Sequence, residues 1–413
     1  MPELLSPAGN REKLEAAVRF GADAVYMAAN VFGMRAAADN FSLSELKDAV
    51  AFVHAHGKKA YITVNTMPRE HEYPLLREYL TALSDVSPDA LIVADLGVFM
   101  LAKEILPHIE LHVSTQANTV SAATCRAWHS LGAKRVVLAR ELTLDEIKAI
   151  RAGVPDTLEL EAFIHGAMCI SYSGRCLLSN FLTGRDGNRG ACAQPCRWNY
   201  KIVNAQIEEE KRPDLPLTLR EEKGETFIMS SRDTCMIEHI PELMESGINS
   251  FKIEGRMKSA YYTAVTTNTY RMAMDAYSAS AEKYRFDPLW LAELESVSHR
   301  EYGTGYYFDN AKENANTTSD TGYLRDKAYL ATVLSYNPDT GEALCVQKNK
   351  MQKGDAVETL MPGRTGVAFS CEALYDEEHI PIQSTPHPYM KFYIKVPFAV
   401  EGGDILRSGE KKG

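Results

Sequence analysis

The chain lacks any run of about 18 consecutive apolar residues, so hydropathy offers no membrane-spanning helix. Met1 is followed at once by a strand-like segment rather than by a basic and apolar leader, and a cytoplasmic protein is expected. No Gly-x-Gly-x-x-Gly turn follows the first strand and no P-loop occurs, which removes the usual support for a dinucleotide or nucleoside triphosphate. Hydrolytic signatures are missing too. His54 and His56 do not form an H-E-x-x-H pair, and Ser171 and Ser173 in ISYSGR do not fit a G-x-S-x-G elbow. Cys169 follows His165 by four residues, but that spacing alone does not make a nucleophile–base dyad.

What is present suits one large domain and a smaller one. The 413 residues are 45% hydrophobic and 24% charged, enough for a sizeable core. The formal net charge of −10 would repel nucleic acid unless a local basic patch exists. One does: between residues 166 and 201, Arg175, Arg185, Arg189, Arg197 and Lys201 face only Asp186, five cations against one anion, or +4. The bland alternative is a solvated basic loop.

Short β-rich runs recur at 3–7, 24–28, 59–65, 90–95, 110–115, 135–139, 158–165 and 250–254. Helical periodicity fills most gaps, as at 11–20, 44–56 (with Ser44 as N-cap), 73–84, 97–106, 121–131, 143–151, 237–246 and 259–277. Eight alternations imply an α/β fold of (β/α)8 TIM-barrel type over residues 1–280, in preference to an open doubly wound sheet. Strand alternation assigns Tyr61, Thr63, His112, Ser114, Glu159, Glu161, Phe163 and Lys252 to the lumen. Barrel sites lie at C-terminal strand ends, where Asn65, Asp95, Gln116, Arg140, His165, Glu254 and Arg256 fall. After strand seven the rhythm breaks into a Cys-rich insertion at 166–228, whose second half, from Glu208 to Lys223, reads as a charged, exposed excursion. A linker at 281–322 leads to an all-β barrel domain at 323–413, where NPDTG from Asn337 marks a hairpin.

Four of the eight cysteines, Cys169, Cys176, Cys192 and Cys196, are spaced C-x6-C-x15-C-x3-C. Structural zinc usually takes two tight pairs, and only the second pair is tight here. An iron–sulfur cluster tolerates the wider spacing and is the leading reading; zinc, and redox or unliganded thiols, stay open. Cys235, in SSRDTC just beyond the loop, is a rival fourth ligand. Cys125, Cys345 and Cys371 read as buried small hydrophobes.

The segment EAFIHGAMCISYSGRCLLS from Glu161, together with LLSPAGN, GADAVY, STQAN, NRGACAQPCRW and KIEGRMKS, resembles the collagenase-like peptidase family U32 over essentially the whole chain. That resemblance implies either proteolysis or, from better-understood relatives, oxygen-independent hydroxylation by [4Fe–4S] proteins acting on ubiquinone precursors, ribosomal RNA or tRNA. The length, the β-rich C-terminal part and the C-x3-C pair look most like the tRNA branch. There, wobble uridine becomes 5-hydroxyuridine and prephenate is required. Carried over by motif, Cys169, Cys176, Cys192 and Cys196 are the ligands. On this reading Glu161, His165, Glu254 and Arg256 are candidate catalytic groups, with Glu161 or His165 moving protons. Arg140, Arg175 and Arg256 suit a dicarboxylate, and Asn65, Asp95 and Gln116 complete the substrate-binding candidates. The expected partners are tRNA and a small dicarboxylate co-substrate, with no membrane and with oligomeric state undetermined. A noncatalytic RNA-binding or assembly factor with a structural cluster is the remaining alternative.

Overall fold

The computed structural model describes residues 1–34, 39–198, 220–222, 225–227, 231–309 and 324–409. Lys201, most of the charged excursion and residues 310–322 of the linker lie outside the described residues.

The expected strands form and close a barrel. β1 (Glu3–Pro7), β2 (Ala24–Met27), β3 (Lys59–Val64), β4 (Ala90–Val93), β5 (Glu110–Val113), β6 (Arg135–Val137) and β7 (Glu159–Ala167) run parallel in sequence order. A short ribbon, β8 (Arg220–Glu222) with β9 (Glu225–Phe227), precedes β10 (Asp233–Cys235), which runs antiparallel along the end of β7. β11 (Ser250–Ile253) pairs with both β7 and β1 and completes the eight-stranded cylinder. β12 (Tyr302–Gly303) extends the sheet beyond β10.

Helices α1 (Arg11–Arg19), α2 (Leu43–Ala55), α3 (Tyr73–Val86), α4 (Leu96–Ile105), α5 (Ala122–Leu131) and α6 (Leu144–Ala152) connect the first seven strands. Their starts follow from capping chemistry, a side-chain oxygen taking an orphan backbone N–H. Asn10, Asp95, Ser121 and Thr143 each cap in this way. The cap of α2 is Ser42 and not Ser44, because Glu45, three residues on, returns a bond to the Ser42 backbone and closes a capping box.

After β7 come α7 (Leu178–Thr183), α8 (Ile240–Met244), α9 (Ala260–Ala279) and α10 (Pro288–Glu295). Among the described residues no helix is long and apolar enough to cross a membrane.

The outward strand parity (Val25, Ile62, Val93, Val113, Leu160, Ile253) packs on the helices in one large core. The inward parity holds a small apolar plug that includes Leu5, Tyr26, Tyr61 and Ile92. Beside the plug, Glu161, Arg135, Lys252 and His112 are almost completely buried. Such a lumen survives only because the charges pair, as described below.

The C-terminal domain comprises β13 (Tyr329–Asn337), β14 (Glu342–Gln347), β15 (Ala356–Leu360), β16 (Val367–Ser370), β17 (Leu374–Tyr375), β18 (Pro381–Ile382), β19 (Lys391–Lys395) and β20 (Ile405–Ser408). They form one antiparallel sheet, ordered β16-β15-β20-β13-β14-β19-β17-β18, curled into a half-barrel. The expected hairpin joins β13 to β14, with Gly341 in the left-handed region (φ 68°). Cys345 and Cys371 sit in this domain's own core, and Cys125 sits in that of the barrel. Helix α9 is buried between the two bodies. Ser6 Oγ of β1 meets Thr267 Oγ1 at 2.8 Å, while Asn268 accepts from Gly363 N at 2.8 Å. Arg407, 1% exposed, bonds Glu293 of α10 (2.7 Å) and Glu358 of β15 (2.9 Å), locking the half-barrel to the barrel.

Candidate active site

The segment after β7 folds over the C-terminal mouth of the barrel as a lid. It starts at Gly166, whose φ of 105° favours glycine. A Cβ there would come within 2.4 Å of the Glu254 carbonyl, so no larger residue lets the chain turn so close to β11. Among the described residues the lid is held at several places, including Ser231 Oγ on Met168 O (2.6 Å), and its own arginines fasten two of them. Arg189 forks onto Glu72 (2.8 and 2.7 Å), and Asn118 accepts from Arg175 Nε (2.7 Å) while its own amide bonds Ser173 O (3.2 Å). Inside the lid, Ser179 Oγ bonds Arg185 O (2.8 Å) and accepts from Ala193 N (2.9 Å), tying α7 to the second cysteine pair.

Lid and strand ends enclose a cavity of about 160 Å3. Cys169, Cys176, Cys192 and Cys196 all line it. All eight cysteines of the chain are free thiols. Two of the lining sulfurs accept backbone N–H bonds, Cys176 Sγ from Leu178 N and Cys192 Sγ from Gln194 N, both at 3.4 Å. Among the described residues no group of three or more His, Cys, Asp or Glu side chains is arranged to hold a metal ion. Four thiols lining one cavity are the donor type that a sulfur-ligated cluster takes. Cys235 is not among the lining residues. It is buried in β10 with Sγ 3.9 Å from the Tyr270 hydroxyl, and burial pushes its thiol up to about 12.

The cavity also receives Asn65, Gln116, Arg140, Glu254 and Arg256, five of the residues singled out at strand ends. Arg140 lies over the Phe163 ring (3.8 Å), bonds Ala167 O (2.6 Å) and reaches Glu254 at 3.4 Å. Arg256 bonds Thr63 Oγ1 at 3.2 Å, and Asn65 Oδ1 takes Met34 N at 3.0 Å. Gln116 is 4% exposed; its Oε1 accepts from Ser114 Oγ at 3.4 Å, and its Nε2 has no partner among the described residues.

Four expected residues are placed elsewhere. Asp95 is the N-cap of α4, accepting from Val98 N (3.0 Å) and Tyr73 Oη (3.4 Å), so its carboxylate is committed to the helix. Arg175 fastens the lid from outside the cavity lining. Glu161 lies below the cavity between Lys252 (2.7 Å) and Arg135 (3.0 Å). Burial alone would raise its pKa, but the two cations hold it below the ordinary value, and it does not reach the cavity lining, so a ligand there has no contact through which to exchange a proton with it. His165 faces away from the mouth. The register of β7 against β11 slips there, Phe163 pairing with Lys252 but His165 with Ile253. The bulge at Ile164 turns His165 toward Tyr262, Tyr270 and Tyr302. Burial lowers its pKa to about 3, keeping it neutral.

Two lining cations were not singled out from the sequence as site residues, Lys252 and Arg197. Lys252 was legible as a lumen residue, and Arg197 only as part of the basic loop. With them the cavity carries four cations (Arg140, Arg197, Lys252, Arg256) against one carboxylate, Glu254, with Glu161 beneath. It suits an anionic or carbonyl-rich ligand.

The sequence model described as peptidase family U32 matches residues 9–317, and that of the U32 C-terminal domain matches residues 325–407. The chain belongs to peptidase family U32. Curated U32 relatives span it nearly end to end. It is 36% identical over 409 residues to tRNA hydroxylation protein P1 of Bacillus subtilis, covering 99% of this chain and 95% of that protein. It is 33% identical over 434 residues to tRNA hydroxylation protein P of Escherichia coli, covering 97% and 95%. It is also 31% identical over 376 residues to a collagenase of Porphyromonas gingivalis, covering 88% and 87%. Family membership thus leaves two chemistries to weigh against the site.

Proposed function

We propose that this chain hydroxylates RNA, as a tRNA-modifying enzyme that forms 5-hydroxyuridine at the wobble position. In this reading Cys169, Cys176, Cys192 and Cys196 hold a [4Fe–4S] cluster in the lid, and a prephenate-like dicarboxylate is the co-substrate. The observation that carries it is the cavity itself, with four thiols lining it beside a strongly cationic set of strand-end side chains. Relatives named for tRNA hydroxylation, alignable over nearly their whole length, support it. The cluster, when bound, would supply one-electron transfer at the cavity. The chain's own residues do the rest. Arg256 and Arg197 bind carboxylates; Arg140 holds Glu254 at the mouth, where Glu254 is the one carboxylate placed to move a proton. Gln116 offers its amide N–H groups to a pyrimidine carbonyl, and the lid keeps bulk water from the reacting base.

The collagenase relative keeps peptidase activity as the competing reading. Among the described residues no histidine lines the cavity, so none of the lining serines or cysteines has an imidazole base beside it there, as an activated hydroxyl or thiol nucleophile would need. The test is the nucleoside composition of tRNA from a strain lacking the protein. The wild-type chain should restore 5-hydroxyuridine-type nucleosides, and Cys176→Ala should not. Unchanged tRNA in the deletion strain, or peptide cleavage by cluster-free protein, would remove the proposal.

A further inference from the structure

The lid has a second face that the cavity does not use. Phe181 of α7 is 83% exposed and Leu177 is 76% exposed, the most exposed large apolar side chains of the described residues. They are one helical turn apart, joined by the Phe181 N–Leu177 O bond of 2.9 Å, and so share one face of the turn. Leu178 and Ser179 of the same turn face the cavity. Phe181 therefore stands on the outer surface of the lid whose inner surface carries the cysteines. Neither it nor Leu177 belongs to a core cluster, so packing does not account for them.

Two more exposed aromatic rings sit on the same lid. Tyr172, 45% exposed, lines the cavity as well and so stands at its edge. Trp198, 39% exposed, is oriented by a 3.1 Å bond from its Nε1 to Ala193 O, and Ala193 N is bonded to Ser179 of α7. Arg185, exposed, follows α7 directly. Among the described residues from 166 to 198, four arginines stand against one aspartate in a chain of net charge −10; Arg189 is paired with Glu72 and Arg197 lines the cavity, while Arg175 and Arg185 are exposed.

We infer that this outer lid face is a stacking platform for single-stranded RNA, with Phe181 stacking on a base that flanks the one entering the cavity. The inference rests on the reading of the cavity as the site of an RNA base. A base can enter only if its own strand passes over the rim, and the rim is this lid. Exposed rings spaced among arginines are the surface that unpaired nucleotides recognise: rings take base faces, guanidinium groups take phosphates. A protein partner is the less favoured occupant, because a stable interface needs roughly 800 Å2 per side of continuous complementary surface. Here the rings are separate steps on a cationic loop.

The test uses intact, anaerobically purified protein and tRNA from the deletion strain. Phe181→Ala should weaken tRNA binding by about 5- to 100-fold, raising KM while leaving kcat, iron content and thermal midpoint unchanged. Phe181→Trp should restore binding to within about twofold of wild type, since any ring stacks. Arg185→Ala should make binding less salt-dependent by about one phosphate contact. Wild-type binding by Phe181→Ala would overturn the inference while leaving the hydroxylase reading standing. So would a Phe181→Ala protein with wild-type tRNA affinity that turns over with a chemical reductant but not with a protein reductant; the face would then belong to a protein partner. A wild-type protein that binds no tRNA would bring down the hydroxylase reading, and the platform with it.

Discussion

Lys252 Nζ lies 2.7 Å from Glu161 Oε1 at the centre of the barrel, and both side chains are almost fully withdrawn from water. Arg135 takes the other carboxylate oxygen at 3.0 Å and continues to Glu3 at 2.6 Å. One anion thus bridges two buried cations, Lys252 in the cavity wall and Arg135 below it. Removing it takes the ion pair from Lys252, while Arg135 keeps Glu3 and Glu159, and breaking a buried pair from one side costs about 3–5 kcal/mol. Glu161→Gln should therefore lose about that much stability in urea unfolding. The double change Glu161→Leu with Lys252→Met should lose less than Glu161→Gln alone, because it removes a charge from each side. If Glu161→Gln were neutral in stability yet inactive, the carboxylate would be acting on substrate rather than holding the floor.

The two candidates for fourth ligand are separated by their surroundings. Cys196 lines the cavity with the other three thiols, whereas Cys235 is enclosed by β7, β10 and Tyr270. Cys235→Ala should keep the full iron and sulfide content and lose about 1 kcal/mol for its small void. Cys196→Ala and Cys176→Ala should each lose most of the iron, visible as a bleached near-ultraviolet and visible absorption band. The reverse pattern would make Cys235 a ligand and require the lid to fold differently.

Gln116 makes a stability–function trade-off measurable. Its Nε2 is buried with no partner among the described residues, an arrangement that costs about 1–3 kcal/mol until a ligand accepts from it. Gln116→Leu should leave the thermal midpoint unchanged or raised. It should also weaken substrate by about tenfold or more, as expected when a ligand loses its donor. Equal loss of stability and of activity would instead mark Gln116 as a packing residue.

The difference between what the sequence makes legible and what it hides follows from local rules. Barrel strands are legible because a two-residue alternation between Tyr61, Thr63 and Ala60, Ile62 has only one buried solution. The lumen position of Glu161 and Lys252 follows from the same alternation, but their pairing with each other needs the closed barrel. His165 escapes the rule because one extra residue at Ile164 reverses the parity after it, and nothing in the residue types announces a bulge. Asp95 misleads for a different reason: a carboxylate at a strand end looks the same whether it binds ligand or caps the next helix. The distance to Val98 N decides it. The exposure of Phe181 is invisible in a segment where Leu, Phe and Leu would ordinarily read as core.

The lid latch gives a pH dependence whose sign can be worked out. Arg189, with the Arg69 backbone N–H, holds the Glu72 carboxyl down at about 2, below its ordinary 4.5. A carboxylate depressed in the folded state adds stability that is complete above about 4.5 and lost as pH falls through about 2. Both side chains are about a quarter exposed, so solvent screening limits the pair to about 1 kcal/mol despite the size of the shift. That energy closes the lid rather than stabilising the barrel, since Arg189 is on the lid and Glu72 precedes α3. At pH 7, Arg189→Met should speed hydrogen exchange of lid amides around residues 176–193 by about fivefold, with the barrel amides unchanged. Lowering the pH from 4.5 toward 2 should bring the wild-type lid, scaled for intrinsic exchange, up to the variant's rate and should not move the variant. A wild-type lid already exchanging like the variant at neutral pH would show that the latch holds nothing, and that the remaining fastenings, among them Asn118 with Arg175 and Ser173, close the cavity.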